Sequence, residues 1–135
     1  MSAEVRHLSV SIARDWRAVY DYACVPEHFP EWASGLGSEL RREGEGEDWI
    51  VAAPDGEARV RFSARNELGV LDHWVTLASG HTVYIPLRVI AHGDGAEITL
   101  TLLRLPQMSD AEFERDSEWV LRDLNRLKVL LETGK

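Results

Sequence analysis

The chain has 135 residues, of which 44% are hydrophobic and 28% are charged, and its formal net charge at pH 7 is −8. This length and composition predict one soluble globular domain over residues 1–135, large enough to bury a core without disulfides or a structural metal. Binding to a phosphate backbone depends on clustered Lys and Arg, so the acidic balance and the lack of such a cluster exclude nucleic acid as an expected partner.

The sequence also bears on the compartment. Cys24 is the single cysteine, so no intramolecular disulfide can form. No signal peptide opens the chain, and no apolar run approaches the roughly 18 residues of a membrane span. We therefore expect a cytoplasmic protein without membrane insertion.

The first third of the chain predicts one strand and two short helices. Residues 4–12 alternate, which predicts a strand with Leu8, Val10 and Ile12 facing inward. Residues 15–24 carry apolar side chains at helical spacing, which predicts a helix whose buried stripe is Trp16, Val19, Tyr20 and Ala23. Residues 26–34 predict a second, short helix that begins with a proline.

The middle of the chain changes to a period of two. Six strands are expected, over residues 38–42, 49–53, 58–65, 71–78, 82–91 and 97–105. Short strands separated by turns, without helices between them, predict an antiparallel meander. A register that pairs Arg65 with Asp72 on the outer face brings Ala64 opposite His73 and Phe62 opposite Val75 inside, with Val60 opposite Leu77.

The last quarter, residues 109–132, predicts a helix of about seven turns. Ser109 and Glu112 have the spacing of a capping box, in which each side chain bonds a free amide of the first turn. One face of this helix is apolar apart from a single serine and needs a partner surface of similar length. That face consists of Phe113, Ser117, Val120, Leu124, Leu127 and Leu131.

Several segments resemble the START-like, helix-grip superfamily, which includes the polyketide cyclase/dehydrase families, Hsp90-activator-homology domains and pathogenesis-related plant proteins. Residues 12–22 and 26–32 resemble its first strand and two short helices, and residues 119–128 its C-terminal helix. Residues 69–75 and 83–89 resemble a bacterial group of SRPBCC-family proteins. The resemblance implies an α+β fold in which a curved antiparallel sheet of about seven strands wraps around the long helix and encloses an apolar cavity.

The residues expected to line that cavity come from the inward positions of the strands and the long helix, together with one residue at the mouth. They are Trp32, Phe62, His73, Val75, Leu87, Leu100, Phe113, Ser117, Val120 and Leu124. Tryptophan suits a ligand wall and a small core equally well. Ser117 either presents its hydroxyl to a ligand or bonds back to a helical carbonyl.

Three residues are candidates for catalysis. His73 either acts as a donor or general base in the cavity or is satisfied by a neighbouring backbone group. Arg88 and Arg104 either anchor a ligand carboxylate or pair with an acid, Asp72 for Arg88 and Asp116 for Arg104. The sequence shows no metal-ligand spacing and no nucleotide or hydrolase motif, so no metal or cofactor is expected.

Three functional hypotheses follow. The first is the binding of a small hydrophobic or aromatic molecule between sheet and helix, by a monomer or a homodimer. The second is a cyclase, aromatase or dehydratase that acts on a polyketide-like substrate with one or two acid–base groups. The third is an interaction module, of the co-chaperone or toxin–antitoxin type, that works through its outer surface. A cavity filled by its own side chains, beside an exposed apolar patch, would favour the third.

Overall fold

A computed structural model describes residues 4–33, 40–42, 44, 48–53 and 56–134. Within these ranges the chain forms eight strands, three α-helices and one short 3-10 helix. In chain order they are β1 (Val5–Ile12), α1 (Trp16–Ala23), the 3-10 helix (Pro26–His28), α2 (Phe29–Trp32), β2 (Leu40–Arg42), β3 (Asp48–Ala53), β4 (Gly56–Phe62), β5 (His73–Thr76), β6 (Thr82–Ile85), β7 (Leu87–His92), β8 (Gly95–Leu103) and α3 (Asp110–Thr133).

The strands form two antiparallel sheets, one in the order β1-β8-β7 and the other in the order β2-β3-β4-β5-β6. The predicted strand over residues 82–91 is split at Pro86, which has no amide hydrogen to continue a ladder. A bridge between Val70 and Arg88 continues the β5–β6 register beyond this split. The two sheets are therefore the halves of the curved sheet that the sequence predicts.

The predicted alternation of the first strand is confirmed. Val10 and Ile12 are buried, while Val5, His7 and Ser9 are exposed. All eight residues of β1 pair with β8. This strand thus lies against the last one and gives α3 an apolar surface on which to pack.

The two short helices follow β1, as predicted. Asp15 caps α1 by accepting the amide of Arg17, and Val19, Tyr20 and Ala23 are buried. The second predicted helix is a 3-10 helix followed by α2, because prolines lie near the start of both. Its predicted last residue, Ser34, lies outside the described residues, as do residues 38–39 of the next predicted strand.

The capping box at the start of α3 is confirmed: the Ser109 hydroxyl accepts the Glu112 amide, and the Glu112 carboxylate accepts the Ser109 amide. The predicted stripe faces the sheets. Leu124 and Leu127 are fully buried, and Val120 is partly buried. Among the described residues, no helix has the length and apolar character needed to cross a membrane.

The register predicted for the fourth and fifth strands is wrong by two residues. His73 lies opposite Phe62, and Val75 opposite Val60. A shift of two residues leaves every side chain on its predicted face, because the period of a strand is two. The Arg65–Asp72 pair does not form: Arg65 instead bonds Asp21, at 2.6 Å, and Asp72 is buried.

The chain between β4 and β5 folds as a loop where the prediction extends both strands. The side-chain oxygen of Asn66 accepts the amides of Leu68 and Val70 and holds the loop closed. Gly69 then runs close against β7, where its carbonyl accepts the Val89 amide at 2.9 Å. The positive φ of Gly69, 75°, is one that residues with a side chain rarely adopt.

Candidate ligand-binding site

A cavity of about 200 Å³ lies between α2, the strands on both sides of Pro86, and α3. We call it the inner cavity. Its wall is almost entirely apolar. The lining residues are Phe29, Trp32, Ala33, His73, Ile85, Leu87, Leu100, Val120, Asp123 and Leu124.

A second cavity, of about 440 Å³, adjoins the inner one, and we call it the outer cavity. It lies between β6, β8 and the first half of α3, and its wall is also mainly apolar. Ile85, Leu100, Val120 and Asp123 line both cavities. The space between the sheets and α3 is therefore one groove with two compartments.

Strand register and helix periodicity account for the inner wall. His73 lies opposite Ile85 in the β5–β6 pair, and Leu87 lies opposite Leu100 in the β7–β8 pair. These four residues surround the point where the two sheets separate. Val120 and Leu124, one turn apart on α3, close the remaining side.

His73 is 4% exposed, and a hydrogen bond to a nearby backbone carbonyl holds its ring in place. Its Nδ1 lies 3.1 Å from the Leu71 carbonyl oxygen. A carbonyl oxygen only accepts, so Nδ1 carries the proton of the neutral ring and Nε2 keeps a lone pair. Burial lowers the pKa of His73, although the Leu71 hydrogen bond and the charge of Asp72 act in the opposite direction. The imidazole is thus kept in its neutral form.

Trp32 contributes the one buried side-chain polar atom that has no hydrogen-bond partner in the described part of the chain. This atom is the indole Nε1, and the residue as a whole is 3% exposed. The indole packs beside Phe29 at a ring-centroid distance of 4.9 Å. Phe29 in turn meets the His73 ring edge-on at 5.3 Å. The two polar aromatic residues of the inner wall therefore flank one phenylalanine.

Six of the ten residues predicted to contact a ligand meet around the inner cavity. They are Trp32, His73, Leu87, Leu100, Val120 and Leu124. The other four lie elsewhere. Phe62 packs behind Phe29 and His73, and Val75 belongs to a separate core cluster of the five-stranded sheet.

The remaining two, Phe113 and Ser117, lie at the start of α3 away from both cavities. The Ser117 hydroxyl donates to the Phe113 carbonyl oxygen, which was the alternative to ligand contact. It also accepts from Arg6, whose guanidinium covers the Phe113 ring. Both side chains are thereby occupied by contacts within the protein.

Neither arginine candidate lines the groove. Arg88 pairs with Asp72, as the alternative to ligand binding predicted. Arg104 pairs with Glu4 and Asp110, so the predicted pairing with Asp116 is wrong. The reason is positional: Arg104 follows β8 and lies beside the start of α3, within reach of Asp110.

The groove also has lining residues that the sequence prediction missed. Phe29 and Ile85 are large apolar residues within the predicted second helix and the predicted strand over residues 82–91, and that signal was sufficient to include them. Asp123 and Trp119 lie on α3 outside its predicted apolar face, and no sequence pattern places them at a cavity. Among the described lining residues of the two cavities none is Lys or Arg, and burial raises the pKa of the Asp116 carboxyl in the outer one.

The described residues include no group of three or more His, Cys, Asp or Glu side chains arranged to hold a metal ion. A further depression, of about 440 Å³, lies on the outer face of the five-stranded sheet, beside Arg61 and Trp74. Five of its six lining residues have polar or charged side chains, and four of the six are exposed. The ring of Trp74 stacks there on Tyr84 at 5.3 Å. None of the six residues that line the depression lines the groove, but Tyr84 also lines the outer cavity.

Comparison with known proteins identifies the architecture. No protein-family model and no curated protein sequence matches the chain. Solved structures do match it: DynU16, a protein in the dynemicin biosynthetic locus, superposes with a TM-score of 0.74 at 18% identity, over 99% of this chain and 49% of its own. Ara h 8.0201 superposes with a TM-score of 0.70 at 10% identity, over 98% and 100% of the two chains.

The Aha1 dimer from Colwellia psychrerythraea superposes with a TM-score of 0.73 at 13% identity, over 98% of both chains. The chain has the helix-grip fold. This confirms the predicted architecture of antiparallel strands around a long C-terminal helix. The chain spans about half the length of DynU16, and the three identities are low, so the likeness is one of fold. In this fold, the groove lies between the antiparallel sheets and the long C-terminal helix.

Proposed function

We propose that this helix-grip protein binds a small hydrophobic or aromatic molecule in the groove between the sheets and α3. The observation that carries the proposal is the composition of the inner wall, in which eight of ten lining residues are apolar. The two adjoining volumes, about 200 and 440 Å³, match the roughly 300–1,000 Å³ of small-molecule sites. Protein interiors are close-packed and have few apolar spaces of this size, so the groove is the part of the fold best suited to a ligand.

The neighbours lend limited support. DynU16, which shares the fold, lies in the dynemicin biosynthetic locus, and a small-molecule ligand for this chain agrees with that setting. The Aha1 structure is that of a dimer, and for this chain a monomer or a homodimer stays our proposal. A cytoplasmic location is likewise proposed, from the single cysteine.

The test is titration with N-phenyl-1-naphthylamine, an uncharged apolar fluorophore that brightens in dry surroundings. The wild-type protein should bind it saturably. Val120→Trp fills the space shared by both cavities and should abolish binding. Val129→Trp places the same ring on an exposed site of the same helix, 58% exposed, and should leave binding unchanged.

Equal binding by both variants would place the fluorophore elsewhere and would contradict the proposal. Thermal unfolding of each variant establishes that a loss of binding is not a loss of fold. Native mass spectrometry of protein purified from its own host, followed by extraction, would then give the mass of the natural ligand.

A second candidate function, acid–base chemistry on a polyketide-like substrate, is supported by His73. The neutral imidazole lines the inner cavity and keeps a lone pair on Nε2, as a general base requires. His73→Gln separates the two functions, since a carrier keeps its affinity while an enzyme loses turnover of a bound substrate. The third hypothesis is the least supported, because a cavity filled by its own side chains would have favoured it and the groove is not filled in that way.

A further inference from the structure

The inner cavity has a polar group that the apolar wall does not explain. The Trp32 indole N–H is buried and makes no hydrogen bond to any described residue. Leaving a buried donor without an acceptor costs free energy, and such groups are few in folded proteins. A phenylalanine would fill a similar space without that cost, so the N–H is expected to have an acceptor in another state of the protein.

The charges around the groove restrict what that acceptor can be. The described lining residues include two carboxylates, Asp116 and Asp123, and no Lys or Arg. His73, the remaining titratable residue of the inner wall, is held neutral. A ligand carboxylate would therefore enter an apolar space without a cation to pair with, which is strongly unfavourable.

We propose that the ligand is an uncharged apolar molecule with a hydrogen-bond-accepting oxygen, such as a ketone or a phenol, which accepts the Trp32 N–H. This inference rests on the proposed function of the groove. The N–H is buried in the structure, so contact with a ligand requires the indole to turn toward the inner cavity that it lines. The hydrogen bond formed on binding then replaces an unsatisfied donor.

Three probes of nearly equal shape test the proposal by calorimetry. They are 2-acetylnaphthalene, which is neutral and only accepts; 2-isopropylnaphthalene, which has no polar atom; and 2-naphthoate, which is an anion. The wild-type protein should bind the ketone at least tenfold more tightly than the naphthoate. The ketone and the hydrocarbon differ in hydration, so their affinities for the wild type are not compared directly. Instead, the change in affinity between wild type and a variant is measured for each probe, and the two changes are compared.

Trp32→Phe removes the donor and keeps an aromatic ring. It should weaken binding of the ketone about fivefold, which is the loss of affinity expected when one ordinary hydrogen bond is removed. Binding of the hydrocarbon should change by less than about twofold, because this probe has no hydrogen bond to lose. Any effect of the altered space is shared by both probes and cancels when the two changes are compared. Retained binding of the hydrocarbon also establishes that the variant folds.

A second measurement needs only the wild-type protein. The chain has five tryptophans, so its indole N–H groups give five signals in a ¹⁵N–¹H correlation spectrum. The ketone should move the Trp32 signal downfield, as a new hydrogen bond does, and the hydrocarbon should not. This readout is independent of the stability of the variant.

The outcomes separate the two proposals. An equal loss of ketone and hydrocarbon affinity in Trp32→Phe, with no downfield shift in the wild type, would overturn the role of Trp32 and leave the binding function in place. Naphthoate bound as tightly as the ketone would overturn the requirement for an uncharged ligand. If none of the three probes binds, the proposed function fails and this inference fails with it.

Discussion

The guanidinium of Arg88 donates two hydrogen bonds to the carboxylate of Asp72, from Nε to Oδ1 at 2.9 Å and from Nη2 to Oδ2 at 2.7 Å. The same carboxylate accepts the Leu87 amide at 2.9 Å and the Tyr84 hydroxyl at 2.6 Å. In the register of this strand pair, Asp72 lies opposite Pro86. The carboxylate therefore supplies a hydrogen-bond acceptor where the proline interrupts the ladder and ties the two sheets together.

Asp72→Asn should lower the free energy of unfolding by about 1–3 kcal/mol, since a buried, fully bonded carboxylate loses its charge-assisted bonds. Urea denaturation measures the change. Asp48→Asn is the matched control, because the Asp48–Arg61 pair, with Arg61 59% exposed, should contribute less than about 1 kcal/mol. Equal costs for both substitutions would mean that Asp72 is no more than a surface ion pair.

Acid should release the stabilisation that the Asp72 carboxylate provides. Burial of Asp72 works to raise its pKa, but the bonds from Arg88, Tyr84 and the Leu87 amide outweigh it and lower the pKa to about 2. The unfolded carboxyl titrates near 3.9, so the contribution is complete above about pH 4 and is lost as the pH falls to about 2. It amounts to roughly 2 kcal/mol. The stability gap between wild type and Asp72→Asn should narrow over this range, and a constant gap would contradict the assignment.

His73 should make the free energy of unfolding depend on pH in a higher pH range than Asp72 does. Its folded pKa is depressed by burial, whereas an unfolded histidine titrates near 6.5. The unfolded chain therefore takes up a proton first, so stability is full above about pH 6.5 and declines as the pH falls below it. His73→Asn should flatten this decline in a series of denaturation curves. His81→Asn, at an exposed position, should leave the profile unchanged.

The packing of α3 can be tested at Leu124, which is fully buried and lines the inner cavity. Leu124→Ala should cost about 2–5 kcal/mol, through lost burial and a larger cavity. Leu121→Ala, at a residue 39% exposed on the same helix, should cost less than about 1 kcal/mol. A loss under about 1 kcal/mol for Leu124 would mean that the helix face is wrongly assigned.

Alanine substitutions at Gly69 and Gly93 distinguish the cost of backbone strain from the cost of a steric clash. Both glycines have a positive φ, 75° and 60°, so both substitutions strain the backbone. A Cβ at Gly69 would collide with the Val89 carbonyl oxygen, while a Cβ at Gly93 would meet nothing within 4 Å. Gly93→Ala should cost about 1–2 kcal/mol. Gly69→Ala should cost about 2–5 kcal/mol, because the clash adds to the strain. Equal unfolding free energies for the two variants would mean that the clash at Gly69 adds no destabilisation.

The parts of the fold that follow from local periodicity could be predicted from the sequence. The capping box of Ser109 and the inward face of β1 depend only on neighbours along the chain. The face of His73 was also predicted correctly, although its strand register was not. Face depends on a period of two, whereas register depends on where each strand ends, and the Asn66 loop shortens both strands.

The site itself was predictable only in part. Val120 and Leu124 belong to the apolar stripe, so their position at the cavity follows from the pattern of α3. The partners of Arg104 depend on how the chain after β8 approaches α3, which no periodicity encodes. The unsatisfied N–H of Trp32 depends on the orientation of one ring inside a packed core. Such details are set by tertiary geometry and not by residue type.

Pro86 has a consequence for how a ligand would enter. Proline has no amide hydrogen, so the interruption between β6 and β7 at Pro86 is present whether or not a ligand is bound. A ligand then spends none of its affinity on parting hydrogen-bonded strands, and only side-chain adjustments such as the turn of one indole oppose its entry. Association should accordingly be fast and little affected by temperature, and differences in affinity among ligands should appear in how slowly they leave.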